Sequence, residues 1–177
     1  MLKIIKSLIA LLIIIIALFI VIGIFLPNDY TVTKSVVIDA TPQNIHPYVN
    51  NLKNWPEWSP FVENDPTLKV TLGDNSSGVG AAQSWTGKDG EGSLVITSSS
   101  PDKGIIYDME FNQGQFECQR EFIYIPEGKS TKVIWEMTGN VDTPVLGGYF
   151  ASKMDSWVGK EFEKGLQNLK NVVENKK

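Results

Sequence analysis

The order of elements along the chain predicts an α+β fold. We expect a curved, seven-stranded antiparallel sheet wrapped around a long C-terminal helix, two short helices after the first strand, and an N-terminal transmembrane helix. Three observations predict it. Ser7 to Leu26 runs for twenty residues without a charge. Six β-patterned stretches then follow one another from Thr67, separated only by short glycine-rich links. The chain closes on a single amphipathic stripe from about Val145 to Glu174.

The first of these, SLIALLIIIIALFIVIGIFL, is apolar on every face, and at about 1.5 Å per residue it matches the roughly 30 Å hydrocarbon core of a bilayer. A secretory signal peptide has a shorter apolar region ending in small residues, whereas this run ends in GIFLPNDY. The reading is an uncleaved anchor over residues 1–27, with a ligand-binding domain over residues 28–177. A lipoprotein is not expected, as no Cys lies near the N-terminus. Lys3 and Lys6 precede the span, which predicts a single-pass protein of the cell membrane with its soluble domain on the extracytoplasmic side. Without those two lysines the chain carries 14 basic and 20 acidic residues, a formal charge of −6. Such a domain is a poor electrostatic partner for nucleic acid or anionic headgroups. With one cysteine, Cys118, no intramolecular disulfide forms, so about 150 residues must hold together by burying roughly 68–70% of their unfolded surface.

YTVTKSVVID (Tyr30–Asp39) alternates and is β-branched, a strand. Thr41 and Pro42 then mark a helix start, with Ile45, Tyr48, Val49 and Leu52 at helical spacing. NWPEWSPF follows. Pro56 and Pro60 fix a corner, and Trp55, Trp58 and Phe61 supply the bulk to seal one end of the sheet, with one Trp in reach of a ligand. LKVTLG, GAAQSWTG, GSLVITSSS, GIIYDMEFN, QFECQREFIYIP and TKVIWEMTGNV are the six further strands, an antiparallel meander. In the last segment Phe150, Met154, Trp157, Val158, Phe162, Leu166, Leu169 and Val173 form the stripe that covers the sheet, and Gly147, Gly148, Gly159 and Gly165 suggest a kink or a close approach.

This order, with TPQNIHPYVNNLKNWPEWSPF, GVGAAQSWTGKDGEGSLVI, TKVIWEMTGNV and EFEKGLQNLKNVVE, resembles the SRPBCC superfamily, the START and birch-pollen-allergen-like helix-grip proteins. Its polyketide cyclase/dehydrase and lipid-transport-like branch is the most similar. The resemblance spans about Tyr30 to Glu174. It implies a hydrophobic ligand cavity between sheet and helix, while activities within the superfamily differ widely.

Few residues invite catalysis. His46 is the only histidine and has no acidic neighbour in sequence. No Cys/His cluster has zinc spacing, so no metal or cofactor is expected. GVGAA and GKDGEG are followed by strands rather than helices, which makes them hairpin turns and not phosphate cradles. Strand phase is more informative. Phe116, Cys118, Arg120, Phe122 and Tyr124 share one face; so do Tyr107, Met109 and Phe111, and Val133, Trp135 and Met137; Gln83 joins Val79, Ala81 and Trp85. Aromatic and Met walls with sparse polar groups are what a small-molecule pocket uses, although the same residues can simply fill a core. The candidate ligand-binding set is Gln83, Trp85, Tyr107, Met109, Phe111, Arg120, Phe122, Tyr124, Trp135, Met137, Phe150, Met154 and Trp157. An inward Arg120 needs an acidic side chain, a solvent-filled mouth, or a ligand carboxylate or phosphate. The expected function is binding of a hydrophobic or amphipathic, lipid-like molecule. The alternatives are a cyclase or dehydratase using Tyr107, Tyr124, Arg120 or an acidic residue, and a stress-response protein whose groove holds a protein segment.

Overall fold

A computed structural model describes residues 2–88, 90–114 and 116–175. The elements are α1 (Leu2–Phe25), β1 (Asp29–Ile38), α2 (Pro42–Asn50), a 3-10 turn (Leu52–Glu57), α3 (Pro60–Asn64), β2 (Lys69–Leu72), β3 (Ala82–Gly87), β4 (Gly90–Ser100), β5 (Gly104–Phe111), β6 (Phe116–Glu127), β7 (Ser130–Asn140), α4 (Gly147–Ala151) and α5 (Met154–Asn175). They divide into two units, Met1–Tyr30 with Asn140–Lys153, and Thr31–Gly139 with Met154–Lys177.

In the first unit, α1 is the one helix among the described residues long and apolar enough to cross a membrane, or to serve as a signal sequence. Its last turns are contacted on one side, at Phe19 and Gly23. The Tyr149 ring stacks on Phe19 at 4.4 Å, and the Tyr149 hydroxyl donates to the Phe19 carbonyl at 2.8 Å. This approach needs small residues: a Cβ on Gly23 would strike the Val145 carbonyl oxygen, and one on Gly148 would strike Leu26. The Val141 N–H donates to the Asn28 carbonyl at 3.0 Å and completes the unit.

In the second unit the sheet has the strand order β1-β7-β6-β5-β4-β3-β2. Strands β2 to β7 are the expected meander, and β1 closes the row beside β7. Phase follows the sequence: Tyr107 and Met109 on β5, Cys118, Arg120, Phe122 and Tyr124 on β6, and Val133, Trp135 and Met137 on β7 are all buried. Two residues depart from their expected faces. Phe116 is exposed at the start of β6, and Val79 is exposed in the turn ahead of β3. A bulge between Ile96 and Ser98 shifts the β4 register, so that Ser99 turns inward two residues after an outward Thr97.

The predicted C-terminal helix is two helices. The Ser152 hydroxyl donates back to the Tyr149 carbonyl at 2.7 Å, a local bond that competes with helix continuation, and the path resumes only at Met154. In α5 the buried stripe is Gly159, Phe162, Gly165, Leu166, Leu169 and Val173. Thr41 occupies the N-cap of α2, but its hydroxyl makes no capping bond.

One ring ties sheet and helix together. Trp135 stacks on Phe162 of α5 at 4.1 Å and 1° and on Phe122 at 4.8 Å, and it meets Trp58 at 5.6 Å. Its Nε1–H donates to the Tyr107 hydroxyl at 2.9 Å. A Cβ on Gly165 would stand 2.8 Å from this ring and 3.0 Å from Pro60. Gly165→Ala is therefore expected to destabilise by about 1–3 kcal/mol from overpacking. That outweighs Ala's helix preference of up to about 1 kcal/mol. Urea unfolding followed by tryptophan emission measures it, and a Gly165→Ala protein as stable as its parent would refute the steric account.

Candidate functional site

The aromatic packing fills one part of the sheet's inner face and leaves another open. A cavity of about 530 Å³ lies between the inner face of β3 to β6, the 3-10 turn, α3 and α5. Trp55, Phe61, Leu68, Trp85, Met109 and Phe111 supply its apolar walls, and Gln83, Asp65, Arg120 and Glu161 its polar groups. Half-exposed Val62 and Val70 also line it. The volume falls within the roughly 300–1,000 Å³ of small-molecule sites.

Of the residues expected to bind ligand, Gln83, Trp85, Met109, Phe111 and Arg120 border this cavity. Tyr107, Phe122, Tyr124, Trp135 and Met137 are buried in the packed core and do not border it. Met154 is half-buried at the start of α5, and Trp157 on the same helix is 54% exposed, because it lies well around the helix from Phe162. Phe150 is 44% exposed on α4, in the other unit.

The NWPEWSPF stretch is a structural corner, and one of its tryptophans borders the cavity. The indole N–H of Trp55 donates to the Val49 carbonyl at 2.9 Å, and that of Trp58 to the Tyr48 carbonyl at 3.0 Å. Both tryptophans are thus clamped to α2, and Trp55 alone of the pair also faces the cavity. Asp65, Leu68, Val70 and Glu161 were not expected at a site. Asp65 and Leu68 lie on a connection without periodicity, and Glu161 sits beside the α5 stripe rather than on it.

Arg120 is the unusual group. It is 5% exposed, and its Nε is buried without a hydrogen-bond partner. The guanidinium carbon lies 5.8 Å from the Phe61 ring centre and 5.2 Å from that of Phe162. Tyr107, its register partner on β5, interacts with it through a hydroxyl that already accepts from Trp135. Burial pushes that hydroxyl up to about 12, so it stays protonated near neutral pH.

The two lining carboxylates are engaged elsewhere. Asp65 accepts from the Thr67 hydroxyl at 2.6 Å, the Thr67 N–H at 2.9 Å and the Lys88 N–H at 2.9 Å. The Thr67 hydroxyl bond, ahead of the backbone donors, holds its carboxyl below the usual value. Glu161 accepts from the Asn64 side-chain amide. Among the described residues no carboxylate pairs with Arg120, and no cluster of His, Cys, Asp and Glu is placed to hold a metal ion.

A second depression, about 870 Å³ and shallower, lies over strands β2 to β7. Its polar side chains pair among themselves, Ser93 with Glu110 and Gln119 with Asp108, each at 2.9 Å. It offers no unmet donor or acceptor comparable to Arg120.

The single histidine is structural in its bonding. The inward turn of Ser99 brings its hydroxyl 3.2 Å from His46 Nε2, yet Ser99 donates to Asn50 Oδ1 at 2.6 Å. Nε2–H is then the donor to Ser99, Nδ1 is left buried without a partner, and no carboxylate orients the ring. This is not a nucleophile–base pair. Burial lowers the His46 pKa from 6.5. The unfolded chain therefore binds the His46 proton more readily than the folded one. Stability is intact above pH 6.5 and falls as pH drops below it, with a slope of at most about 1.4 kcal/mol per pH unit. Melting temperatures between pH 5 and 8 for the parent and for His46→Gln are expected to diverge on the acid side, and parallel curves would refute this.

The family model described as "Polyketide cyclase / dehydrase and lipid transport" matches residues 29–174. Solved structures share the fold at low identity. A solution structure from Thermobifida fusca is 18% identical with a TM-score of 0.62, covering 82% of this chain and 93% of its own. Ara h 8.0201 is 11% identical at 0.60, covering 83% and 99%. A protein from Thermus thermophilus is 16% identical at 0.57, covering 82% and 97%. No curated protein sequence matches the chain. With the family model spanning nearly all of the chain beyond α1, and with a helix-grip sheet and helix around an apolar cavity, this chain belongs to the polyketide cyclase/dehydrase and lipid transport family.

Proposed function

We propose that the protein is a membrane-tethered binding protein for a hydrophobic or amphipathic, lipid-like small molecule, held in the 530 Å³ cavity. The observation that carries this reading is the lining itself: aromatic and aliphatic walls, with Arg120 left partly unsatisfied beside them. Trp55, Phe61, Gln83, Trp85, Met109, Phe111 and Arg120 are the proposed contact residues. Binding is favoured over acid–base catalysis by the state of the titratable groups. The Tyr107 and Tyr124 hydroxyls are raised by burial and do not border the cavity, and the Asp65 oxygens are taken up by Thr67 and Lys88.

The tether reading rests on α1. The packing of Tyr149 on Phe19, and of Gly148 on Leu26, supports an α1 that is retained as part of a folded unit rather than cleaved. Lys3 and Lys6 support a cytoplasmic N-terminus and an extracytoplasmic domain. Carbonate-washed membranes are expected to keep the full-length protein, and protease added to spheroplasts is expected to degrade the domain beyond α1. Release by carbonate, or protection from the protease, would contradict the tether and its orientation respectively.

Native mass spectrometry of the full-length protein, taken from nanodiscs after exposure to a lipid extract, is expected to show retained small molecules. Met109→Trp adds bulk to a cavity wall and is expected to lower retention by about tenfold or more while the fold survives. A parent that retains nothing sinks the binding reading.

A further inference from the structure

Building on the binding reading above, we infer that the cavity selects single-chain amphiphiles with a carboxylate head, and that Arg120 is the group that recognises it. A guanidinium that is 5% exposed has left the water that would satisfy its five N–H donors. Phe61 and Phe162 lie within 5.8 Å and 5.2 Å of it, and their ring faces attract the charge. Rings of this kind accept no conventional hydrogen bond, so the N–H donors must find oxygen elsewhere. Tyr107 offers one neutral hydroxyl, already shared with Trp135, and the Nε donor has no partner. A planar fork with its Nε donor unmet, bordering an apolar cavity, is what a carboxylate engages through paired, charge-assisted bonds.

Charge balance selects the head. Arg120 is the one basic residue among the described residues lining the cavity, while Asp65 and Glu161 also line it. One monoanion neutralises the guanidinium. Asp65 and Glu161 are engaged by Thr67, Lys88 and Asn64, so a single cation is open to the ligand, and the second charge of a phosphate monoester would meet no partner. A neutral alcohol head leaves the guanidinium charge unpaired. Volume selects the tail. At roughly 30 Å³ per water-sized group the cavity holds about eighteen such volumes, close to one saturated chain and well short of two.

The test compares hexadecanoic acid, hexadecanol and hexadecyl phosphate, titrated against the full-length protein in phosphatidylcholine nanodiscs. Affinity is read from tryptophan emission, since Trp55 and Trp85 border the cavity. The head is read from the carboxyl resonance of acid labelled with carbon-13 at that position. The parent is expected to bind hexadecanoate about tenfold or more tighter than the alcohol, as a charge-assisted pair requires. Arg120→Met is expected to bring the two within about twofold by weakening hexadecanoate, and Arg120→Lys to keep part of the preference. The bound carboxyl is expected to titrate below the same acid in empty nanodiscs, because a paired cation favours the ionised form. Equal binding of acid and alcohol by the parent, or a preference surviving Arg120→Met, overturns the assignment of Arg120 while leaving the binding reading intact. Tighter binding of the phosphate overturns the carboxylate. Failure of all three probes to bind overturns this inference, whereas the lipid-extract experiment above decides the binding reading. Should Arg120→Met not fold, the carboxyl titration of the parent against Arg120→Lys decides the question.

Discussion

The second unit depends on the environment of one indole. Trp135 lies parallel to Phe162, stacks on Phe122 and meets Trp58 edge to face, so β6, β7, the corner after α2 and α5 converge on a single ring. Each such pair contributes about 0.5–1.5 kcal/mol beyond simple burial. Its N–H finds the Tyr107 hydroxyl, which leaves no buried indole donor unmet. The helix can approach this closely because position 165 has no side chain, and Pro60 stands on the other side of the same gap. A sheet and a straight helix pinned together along one line cannot touch everywhere. With Tyr107, Phe122, Trp135 and Met137 buried in the packed core, the inner face around Gln83, Trp85, Met109 and Phe111 meets only Glu161 from α5 and becomes the cavity. Core and cavity are two consequences of the same packing.

Arg120 occupies the boundary between those two regions. Its register partners are Tyr107 and Met137, both core, while its own side chain lines the cavity. A Met or Leu at this position would extend the apolar packing at no desolvation cost. The guanidinium held here instead carries a desolvation cost with its Nε donor unmet. The contrast with Asp65 is instructive. That buried carboxylate is met by three donors from its own chain and stiffens the turn into β2 and the end of the β3–β4 hairpin, so it has little left to offer a ligand.

Much of this was legible in the sequence because a strand has a period of two, and a mixed apolar and polar strand can be read without knowing its neighbours. The inward faces of β5, β6 and β7 follow directly, including the inward Arg120. The NWPEWSPF corner was legible because two prolines limit the backbone and two tryptophans in one turn demand burial. Other features depend on contacts that leave little local trace. The Thr97 bulge exchanges the faces of β4 and aims Ser99 at His46, yet TSSS carries no pattern that marks it. The break at Ser152 was hidden by an apolar spacing that runs on through Phe150, Met154 and Trp157, though two of the three are exposed. The glycines at 147 and 148 signalled a close approach without naming what approaches, which is Asn28 and Leu26 at the end of α1. Asp65, Leu68 and Glu161 reach the cavity from a connection and from the flank of a helix, where periodicity carries no information.

The family description joins two kinds of activity, cyclisation or dehydration and transport, and the cavity's chemistry bears on which applies here. Acid–base work needs a group that borders the substrate and exchanges a proton near the working pH. Tyr107 borders packed rings, and its hydroxyl is pushed far above neutrality. Asp65 is held ionised by the chain's own donors. His46, the one side chain with an ordinary pKa in the right range, bonds to Ser99 away from the cavity and is biased towards its neutral form. What remains at the cavity wall is a cation that does not deprotonate, with its Nε donor unmet, among aromatic surfaces. Such a group has bonding to offer an anion and no proton to exchange near neutral pH. On that ground binding, rather than acid–base catalysis, is the reading proposed for this cavity.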